Sequence, residues 1–547
     1  MKKILVLNFT RIGDLIQTSP LLAGLKDEFP GCHITLAANV SFSGICQNLP
    51  NIDKTVVFDP KRFIHADGGQ TSITDVYNYL DEFVRQLEAE KFDILINLSH
   101  SNLSAIMGRL LNIPDVRGID SDGEGNKLVN GPWLMYFSSL LSFRRYNTFN
   151  IVDIYQLGGG VKPKGRSLFM DSAKPAGMAA PLFAELGVRE GDRLIGIQAG
   201  ASMKERRWPS RNFAKCADIM ARRWNAKAVL LGAAAEKELV DEVSAAMETP
   251  HINLAGKTSL EQLIGVVKRC DVLVTNDTAT MHIAAATGTP IVALFLVHAY
   301  GFETGPYCEK AIILEPEIPC FPCLHSSTCP HYACLEYVQP EMVADAADHL
   351  TSNPGGMPPL GPDTFPKVRL LAPYFDQYGF WDLRPLKKMP PGETDILARI
   401  YRQFFMQPFG VGAGKEFVTD YLTAHYAWTD ASELQVWGEK KRIVFQKLAD
   451  AAGKGAEITG QALRDLKGRR LEKVKIIAQR LLDVDRAIEL AGLTHPELMP
   501  AVRLFNMGKA NIGDVDPAVL LGETRALYAD MGAFALFVTK HLEELFK

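Results

Sequence analysis

The sequence predicts an α/β protein of two Rossmann-like, doubly wound parallel-sheet domains facing a cleft, followed by an all-α domain. Three observations predict this. Short all-apolar runs alternate with amphipathic helical stretches over roughly the first 110 residues, and the same alternation restarts at about residue 193 and continues to 295. From about residue 390 onward the β-type runs vanish while long helical periodicity persists. Apolar strands of this kind, separated by helices, mark parallel sheets covered on both faces.

The first series opens with ILVLN (4–8), a helix over 19–29, HITLAAN (33–39), a helical stretch near Gly44 and TVVFD (55–59). A longer helix over 76–90, DILINLS (93–99) and a helix over 102–111 complete it. Between Gly118 and Asp171 Gly, Asn and Pro weaken the pattern, which reads as a crossover with a helix over 147–157. The second series comprises RLIGIQAG (193–200), KAVLLGA (227–233), HINLAG (251–256), DVLVTND (271–277) and TPIVALF (289–295). Helices are expected between them over 211–224, 236–247, 259–269 and 280–287. NPGGMPPLGPDTFP (353–366) reads as a linker, and helices are expected over 393–404, 415–424, 433–452, 458–490 and 517–546. The predicted division is 1–170, 171–352, a linker over 353–389, and a helical accessory domain over 390–547. Its basic and acidic stretch over 464–475 reads as a solvated helix face.

At 547 residues the chain has room for several cores, and 47% hydrophobic with 22% charged residues is the composition of an ordinary globular protein. With 59 basic against 63 acidic residues there is no global field to hold nucleic acid. No run approaches the ~18 apolar residues of a membrane span. MKKILVLNF runs straight into Thr10-Arg11-Ile12-Gly13-Asp14 without a cleavage site, so it reads as a first strand and not a signal peptide. The expected location is therefore cytoplasmic, where the nine cysteines stay reduced.

Three stretches carry chemistry. In NFTRIGDLIQTSP only Gly13 is present where a dinucleotide fingerprint needs three glycines, so the NAD and P-loop readings fail. Asp14 in that turn suits acid/base work, but on position alone the helix N-cap is the favoured reading. GIQAGASMKERRWPSRNF (196–213) leaves a strand through Gly200, Ala201 and Ser202, whose small side chains expose backbone N–H groups. It reads as a diphosphate cradle with charge from Lys204, Arg206 and Arg207, or as a solvated basic loop. In VTNDTATMHIAAATGTP a strand ends at Asp277, with Thr278 and Thr280 at the turn and His282 in the first helical turn. Three anion-friendly features at one sheet edge favour ligand binding over a structural histidine.

The ordered set RIGDLIQTSPLLAGLK, GAS followed by RRWP, LLGAAAE (230–236) and NDTATMHIAAATGTPIVALF resembles glycosyltransferase family 9, the ADP-heptose:lipopolysaccharide heptosyltransferases, over about residues 1–350. The resemblance implies a GT-B fold, with an acceptor half and a nucleotide-sugar half. It implies inverting transfer with Asp14 as general base and Arg11 and Gly13 on the acceptor side. Gly200, Ala201, Ser202, Lys204 and Arg206 would then hold the donor diphosphate. Gly232 and Glu236 would meet nucleoside hydroxyls, and Asp277, Thr278, Met281 and His282 the donor's phosphates and sugar. Two departures stand out: Ala279 where the family has Gly, and Arg206 where it commonly has Lys. The implied donor is ADP-heptose and the acceptor a lipopolysaccharide core; from charge alone, phosphates on such a core would meet Arg11, Arg144 or Arg145. The helical domain suggests a protein acceptor, a docking module or oligomerisation instead. Peripheral inner-membrane contact is compatible with either acceptor. A non-catalytic sugar-nucleotide scaffold and a thiol-based sensor are the rival classes.

Cys320, Cys323, Cys329 and Cys334 are spaced C-x2-C-x5-C-x4-C, a pattern able to surround one tetrahedral ion. A structural zinc or iron is the expectation, with His325 and His331 as substitutes; unligated thiols or disulfides are its rivals. The resemblance implies a GT-B enzyme that stabilises its leaving group with backbone and basic side chains, so transfer itself is expected to need no metal.

Overall fold

The computed structural model describes all residues except 64–71, 325–326, 354–356, 359, 362, 428–431, 514 and 547. The chain forms two compact units, one of residues 1–127 and 149–387, the other of 128–148 and 388–547.

The first unit holds both predicted sheets except for most of the strand Lys127–Asn130, which falls in the second. Strands β1 (Lys3–Asn8), β2 (His33–Asn39), β3 (Lys54–Phe58), β4 (Ile94–Asn97), β5 (Asp115–Ser121) and β6 (Lys127–Asn130) run in the order β3-β2-β1-β4-β5-β6. The second sheet consists of β7 (Leu194–Gln198), β8 (Lys227–Leu231), β9 (His251–Asn253), β10 (Val272–Asn276), β11 (Ile291–Leu294), β12 (Ala311–Pro316), β13 (Val368–Phe375) and β14 (Trp381–Pro385). Its order is β14-β13-β12-β11-β10-β7-β8-β9. Strands β7 and β10 are buried at every residue, as strands covered on both faces must be.

Strand order reverses between β1 and β4 in one sheet and between β7 and β10 in the other, and open α/β sheets bind ligands at such reversals, beyond the carboxyl ends of the strands. All three chemistry-bearing stretches leave those ends: Asp14 follows β1, the Gly200–Arg207 loop follows β7, and Asp277–His282 follows β10. The fold class is thus the predicted one, of GT-B type.

The predicted boundaries need correction. Residues 353–389 are not a linker, because β13 and β14 extend the second sheet by antiparallel pairing onto β12. Leu128–Thr148 belongs to the helical unit, together with Arg144 and Arg145. Arg144 is buried there, so it does not supply an exposed charge for an acceptor. The crossover stretch contains β5 and β6, and its helix is Ile151–Gly158, capped by Asn150, whose side chain accepts the Val152 N–H at 3.0 Å.

In the second unit the helices are Pro132–Leu140, Glu393–Met406, Glu416–His425, Ser432–Lys467, Leu471–Thr494, Met499–Asn511 and Pro517–Leu545. The single helix expected over 458–490 is interrupted after Lys467, where Arg469 takes a left-handed φ of 57°. Tyr401, Phe445, Tyr528 and Phe534 centre a separate apolar core. Arg464, Lys467 and Arg469 are exposed, as a solvated face requires. Among the described residues no helix is long and apolar enough to cross a membrane.

Candidate active site

Buried Asn8 ends β1 and shapes the turn: its Oδ1 accepts the Thr10 N–H at 3.2 Å, and its Nδ2 donates to the Asp14 carbonyl at 3.3 Å. A short helix, Ile12–Gln17, follows with Arg11 as its N-cap, so Asp14 is the third helical residue and not the cap itself. Its carboxylate still does capping work, since Oδ2 accepts the Arg11 N–H at 3.1 Å. Asp14 is nevertheless half-buried, and Arg11 is exposed. The Asp14 charge reaches His100, whose affinity for a proton is lowered chiefly by burial, then by Lys127, and is partly restored by Asp14. It also reaches Tyr155, whose hydroxyl is pushed well up by burial first and by Asp14 second.

The turn after β1 touches the helix after β10. A Cβ placed on Gly13 would lie 2.9 Å from His282 Cδ2 and 3.7 Å from Ala279 Cα, closer to the ring than real side chains come. Glycine here is a packing requirement between helix Ile12–Gln17 and helix Ala279–Thr287, and it brings the turn after β1 and the stretch after β10 together. His282 is 4% exposed, and burial pushes its pKa down to about 4, so the ring is neutral at physiological pH. Its Nδ1 makes no hydrogen bond among the described residues. Met281 is wholly buried, a packing residue in this structure and not an open wall of the cleft.

Beyond β7, Ala199, Gly200 and Ala201 are buried, while Ser202 and Lys204 are exposed. No helix begins at Ser202; Lys204–Arg206 form one 3-10 turn, and the helix starts at Ser210. Asn276, the last residue of β10, holds this loop. Its Nδ2 donates to the Ala199 and Gly200 carbonyls at 2.8 and 3.2 Å, and its Oδ1 accepts the Trp208 N–H at 3.2 Å. Trp208, fully buried, donates its indole N–H to the Val338 carbonyl at 3.0 Å. Arg206 Nη1 lies 3.2 Å from Asp277 Oδ2, with the two side chains 13% and 12% exposed. The two predicted donor-binding residues are therefore an ion pair, with the guanidinium already oriented. Arg207 Nη2 reaches the Ala201 carbonyl at 3.4 Å. Thr278 caps helix Ala279–Thr287 by position, and its hydroxyl shares a hydrogen bond of 3.1 Å with Thr275.

Glu236 ends a short turn after β8. Its Oε2 accepts the Ala233 N–H at 2.9 Å and Gln198 Nε2 at 3.2 Å. A Cβ on Gly200 would overlap Glu236 Oε1, so Gly200 makes way for this carboxylate, whereas one on Gly232 would crowd Val240 Cγ2 at 2.9 Å and meet Oε2 only at an ordinary 3.5 Å. The structure thus groups Gly200, Gly232 and Glu236, pairs Arg206 with Asp277, and joins Gly13 to His282. Sequence reasoning missed Asn276, Gln198 and the role of Thr280. The available signal was a polar residue closing an otherwise apolar, fully buried strand, as in LIGIQ and VLVTN.

The four cysteines behave differently. Burial, reinforced by the neighbouring thiols of Cys323, Cys320 and Cys329, pushes the Cys334 thiol up to about 11, so the sulfurs lie within electrostatic reach of one another. Cys329 Sγ accepts the Tyr332 N–H at 3.2 Å, and His331 Nδ1 is taken by the Ala333 N–H at 3.1 Å. Among the described residues, however, no three His, Cys, Asp or Glu side chains form a group able to hold a metal ion, and His325 lies outside the described residues.

Two doubly wound lobes, with the turn after β1 of one packed against the helix after β10 of the other, are the architecture of the predicted GT-B type. Residues 157–333 match the model of "Glycosyltransferase family 9 (heptosyltransferase)". The chain is 31% identical over 174 residues to a lipooligosaccharide heptosyltransferase 2 of Campylobacter jejuni, covering 30% of this chain and 53%, about half, of that relative. It is 27% identical over 328 residues to the Haemophilus influenzae lipooligosaccharide heptosyltransferase 2, covering 57% of this chain and 88% of the relative. A solved family 9 glycosyltransferase from Veillonella parvula superposes with a TM-score of 0.52 at 27% identity, over 64% of this chain and 98% of its own. Over its α/β part the chain is thus similar to members of glycosyltransferase family 9.

Proposed function

We propose that this glycosyltransferase moves a heptose from ADP-heptose to a hydroxyl of a lipopolysaccharide core, with inversion at the anomeric carbon. The donor and acceptor classes come from the names of its relatives, which are lipooligosaccharide and lipopolysaccharide heptosyltransferases. The observation that carries the reading is the contact of Gly13 with His282 and Ala279, which brings the Asp14 turn against the helix that starts at Thr278.

A sugar hydroxyl is a weak nucleophile at neutral pH, and a carboxylate that takes its proton as the new bond forms answers that need. Asp14 is held by one oxygen, Oδ2, on the Arg11 N–H, which fixes its direction without burying it. The acceptor oxygen attacks the anomeric carbon, the bond from that carbon to the diphosphate breaks, and the electron pair leaves with ADP. Lys204, Arg206 and the backbone N–H groups at Gly200–Ser202 and Thr278 stabilise the departing charge. Arg206 does so from a geometry already set by Asp277. His282, neutral, offers a hydrogen bond to phosphate or sugar without competing as a base. On this reading the reaction belongs to the cytoplasm, with the acceptor met at the inner membrane's cytoplasmic face.

The test is transfer from ADP-heptose to heptose-deficient core by the wild type and Asp14→Asn. The wild type is expected to transfer, and the variant to lose about 10²–10⁴-fold in kcat while keeping its affinity for ADP. Full activity in Asp14→Asn would remove the base assignment, and failure of the wild type with ADP-heptose would remove the donor.

A further inference from the structure

Thr280, Gln198 and Glu236 form a hydrogen-bonded chain across the donor side of the cleft. The Thr280 hydroxyl donates to Gln198 Oε1 at 3.3 Å, and Gln198 Nε2 donates to Glu236 Oε2 at 3.2 Å. Gln198 is 3% exposed and Thr280 6%, so the amide is enclosed with both ends satisfied. The order of donors admits one orientation only: a flipped amide would set its oxygen against the carboxylate and its NH2 against a hydroxyl with another acceptor to find.

We propose that Gln198 is a positioning residue that decides which oxygen of Glu236 is offered to the ligand. This rests on the reading of Glu236 as the acceptor for the hydroxyls of a nucleoside diphosphate. Oε2 is engaged twice, by Gln198 and by the Ala233 N–H. Oε1 accepts no hydrogen bond among the described residues and sits against Gly200, in the space a Cβ there would take. An ionised carboxylate has about four acceptor sites, so Oε1 retains capacity for a vicinal diol. Without Gln198 the carboxylate keeps one tether and can turn about its last torsion, which spreads the acceptor over several directions and weakens binding of the hydroxyls specifically. Because Thr280 sits in the helix whose first turn faces the diphosphate, the same chain ties the nucleoside end of the pocket to its phosphate end.

The experiment is calorimetric titration of ADP, 2′-deoxy-ADP and 3′-deoxy-ADP into the full chain, using wild type, Gln198→Ala, Thr280→Val and Glu236→Gln. Gln198→Ala is expected to weaken ADP about tenfold, and to weaken by less than about twofold the deoxy analogue that lacks the hydroxyl Glu236 meets. Thr280→Val, which frees the far end of the amide, should show the same pattern at reduced size and serves if Gln198→Ala fails to fold. Equal weakening of all three nucleotides, or none, overturns the positioning role. If Glu236→Gln leaves ADP binding unchanged while wild type binds ADP tightly, the Glu236 reading fails and this inference with it, while the donor assignment stands. If wild type binds no nucleoside diphosphate, the proposed donor itself is wrong.

Discussion

Replacing Gly13 by Ala tests the contact on which the functional reading depends. Gly13 is the second residue of helix Ile12–Gln17 and has no left-handed φ, so the backbone itself accepts alanine. In a helix Gly→Ala alone returns at most about 1 kcal/mol. Against this, the new methyl carbon would meet His282 Cδ2 at 2.9 Å with Ala279 Cα behind it at 3.7 Å. The His282 ring is 4% exposed and has little room to withdraw, and forcing a methyl into such packing costs about 1–3 kcal/mol. The expected net effect is a loss of roughly 1 kcal/mol or more in denaturant unfolding. A drop of about 10–100-fold in kcat/KM should accompany it as the two helices part and the Asp14 carboxylate shifts. Gly177, inside helix Ala173–Glu185 with nothing within 4 Å of its added Cβ, is the control. Gly177→Ala should be neutral or slightly stabilising, with transfer unchanged. A Gly13→Ala protein as stable as the control and fully active would refute the contact between the two lobes.

The remaining predictions concern buried polar groups. His282 has a folded-state pKa of about 4 against an ordinary 6.5, so the unfolded chain takes up the proton first. Stability is unaffected above about pH 6.5 and falls as pH drops toward 4, by roughly 3 kcal/mol in full, and denaturant midpoints of wild type and His282→Gln at pH 7 and 4.5 should diverge by most of that amount. Asn276→Ala strands the Trp208 N–H and two loop carbonyls; it should cost about 1–3 kcal/mol in urea unfolding and raise KM for the donor more than it lowers kcat.

Local pattern was enough for the two strand series, because parallel strands covered on both faces are apolar throughout and hard to confuse with loops. The same habit hid β13. VRLLAPYF is as apolar as any strand of the series, but it follows a Pro- and Gly-rich stretch, and its antiparallel pairing onto β12 breaks the alternation that identified the others. Leu128–Thr148 gave no local sign of joining residues beyond 388, since membership of a unit is settled by long-range packing and not by periodicity. At the site, the motif residues were legible as types and positions. Their pairings were not: Arg206 and Asp277 were both read as ligand contacts, and only coordinates reveal that each holds the other. Asp14 shows the reverse ambiguity, as the carboxylate read as a base caps its helix through one oxygen and is half-buried. Four cysteines at tetrahedral-site spacing state what the chain can reach, whereas ligation depends on a loop geometry the spacing leaves open.

The discontinuous make-up of the helical unit bears on how the chain is made. Tyr136 sets its ring edge-on to Phe405 at 4.7 Å, Val129 donates its N–H to Asn511 at 2.9 Å, and Tyr146 lies 5.8 Å from Tyr401. Some 240 residues separate Thr148 from Lys388. At a synthesis rate of about 5–20 residues per second, the early segment waits roughly 10–50 s on the ribosome before its docking helices exist. During that interval the apolar side chains of Leu134, Tyr136 and Leu140, buried in the finished protein, have no native cover. Truncation after Lys387 would make the wait permanent, leaving an α/β enzyme with a sticky orphan loop of its own.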